Sequence, residues 1–231
     1  MSSQAKPKPN IVIILVDDMG YGDIGPFGNT VNKTPNLDRM AEEGIKLTQF
    51  YVANTACTPS RAALLTGTYA HRIGMDGGNG NLVVTFPGDS RGLNPSEITI
   101  AEMLRENGYA TGCFGKWHLG DQPEFMPLNQ GFDTYFGIPY SNDMWPQHTA
   151  RNPITKRKYE PLPVMKQDKA VAHVADEFDQ SLLAEVITDE AIAFIEKNQK
   201  RPFFCYIPHA HVHYPRHARS EYLERAEGNV D

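Results

Sequence analysis

The sequence predicts an α/β fold with a largely parallel (mixed) central sheet sandwiched by helices. Three observations predict it. Asn10–Val16, Tyr109–Gly115 and Phe203–Ile207 are short apolar runs, the mark of strands covered on both faces. Stretches with helical spacing of apolar residues alternate with them. Gly-, Asn-, Asp- and Pro-rich segments separate the two kinds of element.

Taken in order, Asn10–Val16 is rich in β-branched residues and forms the first strand. Thr34-Pro35 opens a helix that should turn Leu37, Met40 and Ala41 inward and stop at Gly44. Ile45–Val52 alternates enough to predict a strand. Pro59 suits the first position of the next helix, where a missing N–H is harmless, and Gly67 ends it. Tyr69–Pro95 is an extended loop region. Thr99-Ile100-Ala101-Glu102 is a capping box whose helix runs to Gly108. Tyr109–Gly115 is the next buried strand, and Asn142–His173 is irregular without a clear period. Ser181–Gln199 is an amphipathic helix with Leu182, Leu183, Val186, Ile187, Ala191, Phe194 and Ile195 on one side. Phe203–Ile207 is the last strand.

Bulk properties narrow the function. The chain has 231 residues, room for one large domain, and carries a formal charge of −6. Without a basic excess, nucleic acid is not expected as a partner. The longest purely apolar run, Ile11–Val16, is far too short for a membrane span, and no membrane partner is expected. Met1–Pro9 is polar and lysine-bearing, without the apolar core of a secretory signal. Its localisation is left open: cytoplasmic, or periplasmic or secreted if a signal was removed. Residues 1–9 are read as a disordered tail. Three cysteines make no disulfide framework, and Cys113 and Cys205 fall in buried strands as inert thiols.

Four groups carry chemistry. Cys57-Thr58-Pro59-Ser60-Arg61 sets a thiol at a helix N-terminus, where free N–H groups and the helix dipole favour an anion, and places Arg61 on the same face. Asp17-Asp18 ends a strand that should be buried, and adjacent carboxylates there call for a cation; oxygen donors suit Ca²⁺ or Mg²⁺. Gly115-Lys116-Trp117-His118-Leu119-Gly120 pairs a compact cation for an oxyanion with a residue that can move a proton near neutral pH. Its flanking glycines allow the backbone to approach a ligand. His209, His211 and His213 share one side if extended, a spacing compatible with zinc, although the nearby carboxylates and cations fit a hard metal and an anionic substrate better. All four groups follow strand ends, where ligands collect in such folds.

Together these segments resemble the formylglycine-dependent sulfatases, arylsulfatase A-like members of the alkaline phosphatase superfamily, from Pro9 to about Glu224. The matching pieces are Pro9–Asp23, Thr34–Asp38, Cys57–Gly67, Gly108-Tyr109, Gly115–Gly120, Ile138–Ser141, Pro202–Phe204 and His211–Pro215. The resemblance implies an alkaline-phosphatase-like fold, with residues 10–231 the N-terminal portion of the catalytic domain, and hydrolysis of aryl or carbohydrate sulfate esters. It implies that Cys57 is converted by a formylglycine-generating enzyme to an aldehyde whose hydrate attacks sulfur. Asp17, Asp18 and a hydroxyl of converted residue 57 would bind Ca²⁺, with Mg²⁺ as a substitute. Arg61 would hold the hydrate, Lys116 would bridge it to sulfate, and His118 would take the proton that expels sulfate. His213 would assist the leaving alcohol, and Ser141 would contact sulfate.

Family members continue well past residue 231, and there supply a second metal-binding pair, another lysine and a small subdomain. Asp17, Asp18 and one hydroxyl fall short of the about six to eight oxygens that Ca²⁺ takes. The chain is therefore expected to be a truncated or partial form with weak metal binding and poor turnover, exposing an unpaired sheet edge and an apolar patch. Alternatives are a phosphodiesterase or phosphonate monoester hydrolase of the same superfamily, a non-catalytic fragment that binds an anion or a partner, and a thiol enzyme using unmodified Cys57.

Overall fold

A computed structural model of the chain describes residues 8–78, 80–147 and 158–226. The expected tail over residues 1–9 lies, as far as residue 7, outside the described residues. The elements are β1 (Ile11–Val16), α1 (Pro35–Glu43), α2 (Cys57–Thr66), α3 (Ile100–Glu106), β2 (Ala110–Lys116), β3 (Thr134–Ile138), β4 (Leu162–Lys166), β5 (Lys169–Val174), α4 (Glu177–Asn198), β6 (Phe203–His209) and α5 (Ser220–Leu223). They build the expected mixed sheet, in the order β1-β6-β2-β3-β4-β5. Pairing is parallel from β1 through β6 and β2 to β3, and antiparallel from β3 to β4 and β5.

The last strand, β6, slots between β1 and β2. Its register with β1 pairs Val16 with His209, and β2 pairs Lys116 with Ile138. The carboxyl ends of four parallel strands thus open on one edge of the sheet. The strands crowd there because glycines permit it. A Cβ on Gly115 (φ +139) would lie 2.1 Å from Pro208 O, and one on Gly137 (φ +154) 2.0 Å from Gly115 O. Gly115 therefore serves strand packing rather than the ligand approach expected of it. Gly120 likewise packs on Gly92 and Phe125.

Each sheet face has its own core. Leu183, Ile187, Ala191 and Phe194 of α4 pack on Phe114, Phe136, Phe203 and Cys205. On the other face, Ala62 and Leu65 of α2 and Ala101 and Leu104 of α3 pack on Cys113, Tyr135, Phe204 and Tyr206. Burial of each large apolar side chain contributes about 1.5–3 kcal/mol, which holds α2 against the sheet. The Thr99 capping box forms as expected, with Glu102 N donating to Thr99 Oγ1 and Thr99 N donating to Glu102 Oε2. Cys113 and Cys205 are buried and free, and burial pushes the Cys205 thiol up to about 12.

Five expectations need correction. The first strand is not covered on both faces. β1 is an edge strand, and while Ile11, Ile13 and Leu15 pack on the α2 side, Val12 and Ile14 are exposed because α4 lies over β2 and β6. Second, α1 forms, but Leu37 and Met40 are exposed and it buries no residue, since it packs on the turn at Gly25–Phe27 rather than on the sheet. Third, Ile45–Val52 is not a strand. Its neighbour in space is Tyr21, whose hydroxyl donates to Phe50 O at 2.7 Å, so no ladder is available to it. Fourth, α2 begins at Cys57 with Ala56 as N-cap, so Pro59 is the third helical residue; Gly67 ends the helix in the left-handed conformation as expected. Fifth, Asn142–His173 contains the hairpin β4–β5. Its Gln167-Asp168 loop puts Gln167 at φ 58 without the Asn-Gly or Gly signal that marks such turns. Among the described residues, no helix is long and apolar enough to cross a membrane.

Candidate active site

The site lies where β1, β2, β3 and β6 end. Asp17 directly follows β1 and is buried. Its backbone prolongs the β1–β6 ladder into the next loop: Asp17 N donates to His211 O at 3.0 Å, and Val212 N donates to Asp17 O at 2.7 Å. This fixes the carboxylate against Lys116, the last residue of β2. Lys116 Nζ donates to Asp17 Oδ2 at 2.5 Å and to Ser141 Oγ at 2.9 Å. Arg61 reaches the same carboxylate oxygen, with Nη2 at 3.3 Å, and its Nη1 donates to Lys116 O at 2.6 Å. Lys116 and Arg61 are 0% and 1% exposed, so two cations and one carboxylate share a dry space.

Burial by itself would raise the Asp17 carboxyl, but Lys116 and Arg61 outweigh it and hold the group below the ordinary carboxylate range. The acid therefore stays ionised. One positive charge remains without a buried partner, which makes the space receptive to an anion.

Ser141 is held from behind. Asn142 Nδ2 donates to Pro215 O at 3.2 Å, and Gln180 Nε2 of α4 donates to Asn142 O at 2.6 Å. The loop after β3 is thus tied both to the loop after β6 and to α4. Sequence reasoning missed Asn142 and Gln180: the helix expected over Ser181–Gln199 starts at Glu177, so Gln180 lay just outside the element as read.

His118 is fully buried with a left-handed backbone (φ 59), uncommon for a residue with a Cβ. Its Nε2 lies 3.0 Å from Thr85 O. Burial first, then Lys116 and Arg61, hold its pKa well below the ordinary imidazole value, so the ring is neutral. His213 lies at the border, with Nδ1 donating to Tyr214 O at 2.5 Å and Nε2 3.9 Å from Asp18 Oδ2. Asp18 itself turns outward through a left-handed backbone (φ 58), with 64% of its side chain exposed.

Cys57 is half-buried at the start of α2. Residues four apart on a helix are neighbours, so the side chain sits one turn from Arg61, whose guanidinium reaches Asp17. The first turn of α2 is docked onto the segment after β2, with Thr58 Oγ1 donating to His118 O at 3.0 Å.

The structure thus brings together Asp17, Arg61, Lys116 and Ser141, with His118 and His213 close enough to interact electrostatically with them and Cys57 one helical turn from Arg61. It does not gather Asp17, Asp18 and Cys57 into a three-donor cluster: no group of three His, Cys, Asp or Glu residues that could hold a metal occurs among the described residues. Asp17 faces the two cations while Asp18 faces water. The donor types still fit a hard divalent cation, since one carboxylate is held ionised and a second adjoins it. The histidine row is also corrected. β6 ends at His209 and the chain turns, so His209, His211 and His213 do not share one extended face.

His118, His209 and His211 all have pKa values lowered chiefly by burial. Once unfolded, each regains an ordinary value near 6.5. Below that pH the unfolded chain binds more protons than the folded one, so stability falls with pH; above it the histidines contribute nothing. Urea midpoints should be level from pH 8 to 7 and drop below about 6.5, with a slope up to about 1.4 kcal/mol per pH unit for each histidine. A midpoint unchanged down to about pH 5 would show that these rings are accessible to protons in the fold.

An α/β sheet with a buried carboxylate between two cations and a helix-borne cysteine at its strand ends defines an anion-handling centre. Comparison with known proteins gives the family: the Sulfatase profile matches residues 9–231, and the chain belongs to the sulfatase family. It is 40% identical to arylsulfatase A of Homo sapiens over 232 residues, covering 96% of this chain and 44% of that protein. It is 38% identical to N-acetylgalactosamine-6-sulfatase of Sus scrofa, covering 95% of this chain and 42% of that one. Among solved structures it resembles Ps i-CgsB in complex with k-i-k-neocarrahexaose, with TM-score 0.80, 32% identity and coverage of 97% of this chain and 49% of the other. The PsFucS1 sulfatase from Pseudoalteromonas sp. matches with TM-score 0.81 and 28% identity over 95% of this chain and 47% of that one. The chain thus spans less than half the length of these relatives.

Proposed function

We propose that the chain carries the nucleophile-bearing and sulfate-binding part of a sulfuric ester hydrolase acting on aryl or carbohydrate sulfates. One observation carries this reading: Asp17 is shared by Lys116 and Arg61 in a dry space with an excess positive charge. A sulfate monoester is singly charged and spreads that charge over its oxygens as the S–O bond breaks, and fixed cations in a water-poor pocket stabilise the spread.

Lys116 and Ser141 bind the sulfate oxygens, and Arg61 orients residue 57. His118, neutral at physiological pH, accepts a proton near residue 57, and His213 donates toward the leaving alcohol. Asp17 and Asp18 are the residues that would hold a divalent metal, Ca²⁺ or Mg²⁺. Such an ion supplies Lewis-acid polarisation of a sulfate oxygen when bound. Conversion of Cys57 to formylglycine by a maturation enzyme would supply a geminal diol, one hydroxyl to attack and a second to release sulfate. The relative solved with neocarrahexaose supports carbohydrate esters as one substrate class.

The test is mass spectrometry of tryptic peptide 47–61 from chain produced with a formylglycine-generating enzyme, with parallel assays on an aryl sulfate and an aryl phosphate ester. An aldehyde at residue 57 and preference for the sulfate are expected. A retained thiol, or preference for the phosphate ester, would refute the reading.

A further inference from the structure

We propose that Thr58 is a positioning residue which, through the backbone of Thr85, holds His118 in a single tautomer: Nε2 carries the proton and Nδ1 is the proton acceptor of the site. The role of His118 rests on the function proposed above, but the geometry stands without it. Three residues distant in sequence form a closed ring of hydrogen bonds. His118 Nε2 lies 3.0 Å from Thr85 O; a carbonyl only accepts, so in the neutral ring Nε2 must bear the hydrogen. Thr85 N donates to Thr58 Oγ1 at 3.2 Å, and Thr58 Oγ1 donates to His118 O at 3.0 Å. The Thr58 hydroxyl therefore uses both its donor and its acceptor capacity: it binds the carbonyl of His118 and the N–H of the same residue, Thr85, whose carbonyl His118 grips on the next peptide group.

All three residues are 0–2% exposed, so water cannot substitute for a missing partner. The backbone of His118 is held as well, His118 N donating to Pro139 O at 3.0 Å, which keeps its left-handed conformation in place. The remaining ring nitrogen, Nδ1, is buried without a hydrogen-bond partner among the described residues. A buried lone pair left free on an otherwise fully clamped ring is an acceptor awaiting a proton. Thr58 directly follows Cys57, so the same hydroxyl sets the distance between the helix that bears the nucleophile and the base.

The Thr85 side chain is secondary: its Oγ1 lies 3.4 Å from His118 O, while its backbone does the clamping. This separates the proposal from general packing, because Thr58→Val should release the tautomer whereas Thr85→Val should keep it.

The experiment is ¹⁵N NMR of the ¹⁵N-histidine-labelled chain at neutral pH, with the His118 signals assigned by their loss in His118→Asn. The expected wild-type result is an unprotonated Nδ1 and a protonated Nε2. Thr58→Val should move both nitrogens toward averaged, mixed-tautomer shifts, and Thr58→Ser should restore the wild-type pair. A wild-type spectrum with protonated Nδ1 would overturn the proposal. So would a folded Thr58→Val with unchanged shifts, or averaging in Thr85→Val as well. If Thr58→Val does not fold, Thr58→Ala reads the same loss of the hydroxyl, and unchanged shifts in it would overturn the proposal. Failure of the functional reading shows separately, as absent aryl sulfate hydrolysis with the expected tautomer intact.

Discussion

Asp17→Asn should destabilise the chain by about 3–5 kcal/mol, the usual effect of stripping one partner from a buried ion pair. The substitution keeps the shape of the side chain but leaves Lys116 and Arg61, both essentially inaccessible to water, without a counter-charge. The urea midpoint should fall while the denaturant slope stays constant, since the surface exposed on unfolding is unchanged. The double variant Asp17→Asn/Lys116→Met should recover part of the loss, because one of the stranded charges is then gone. A midpoint equal to wild type for Asp17→Asn alone would mean that the three charges do not meet. The sign follows from burial. At the surface the same pair would contribute about 0–1 kcal/mol, and its loss would be barely measurable.

Cys57→Ala should instead leave stability almost untouched and remove activity. Cys57 is half-buried, and it is Thr58, Pro59 and Arg61 that anchor the first turn of α2. Loss of a covalent nucleophile lowers turnover by about a thousand-fold or more, the remainder coming from binding and charge stabilisation. Hydrolysis of an aryl sulfate by matured chain, measured beside the urea midpoint, checks both halves. Activity within about ten-fold of wild type would remove residue 57 from the chemistry. The two variants thus separate the expected effect of a charge cluster on stability from that of the proposed nucleophile on turnover.

Much of the site was legible in sequence because its residues sit at element ends, and element ends carry strong signals. The apolar runs that make β1, β2 and β6 stop at Asp17, Lys116 and His209, and a parallel sheet sends such ends to one edge. Arg61 was readable from its four-residue spacing to Cys57. Thr85 was not: it lies in a loop of Gly, Asn and Pro, where only contact with Thr58 and His118 gives it a role. The exposure of Val12 and Ile14 was equally hidden, since an apolar strand looks the same whether or not a helix covers it. The hairpin β4–β5 escaped because Gln167 adopts its left-handed turn without being glycine or asparagine.

By itself, the sequence determined the α/β class, the strands β1, β2 and β6, the helices α1 to α4, and the candidate site residues that follow those strands and open α2, while β3 was not read from it. These follow from periodicity, capping and local spacing, which act over a few residues. The insertion of β6 between β1 and β2, the outward turn of Asp18 and the sharing of Asp17 between Lys116 and Arg61 were decided only by the tertiary structure. Each depends on groups far apart in the chain competing for one buried carboxylate or one strand edge, and short-range pattern carries no record of which wins.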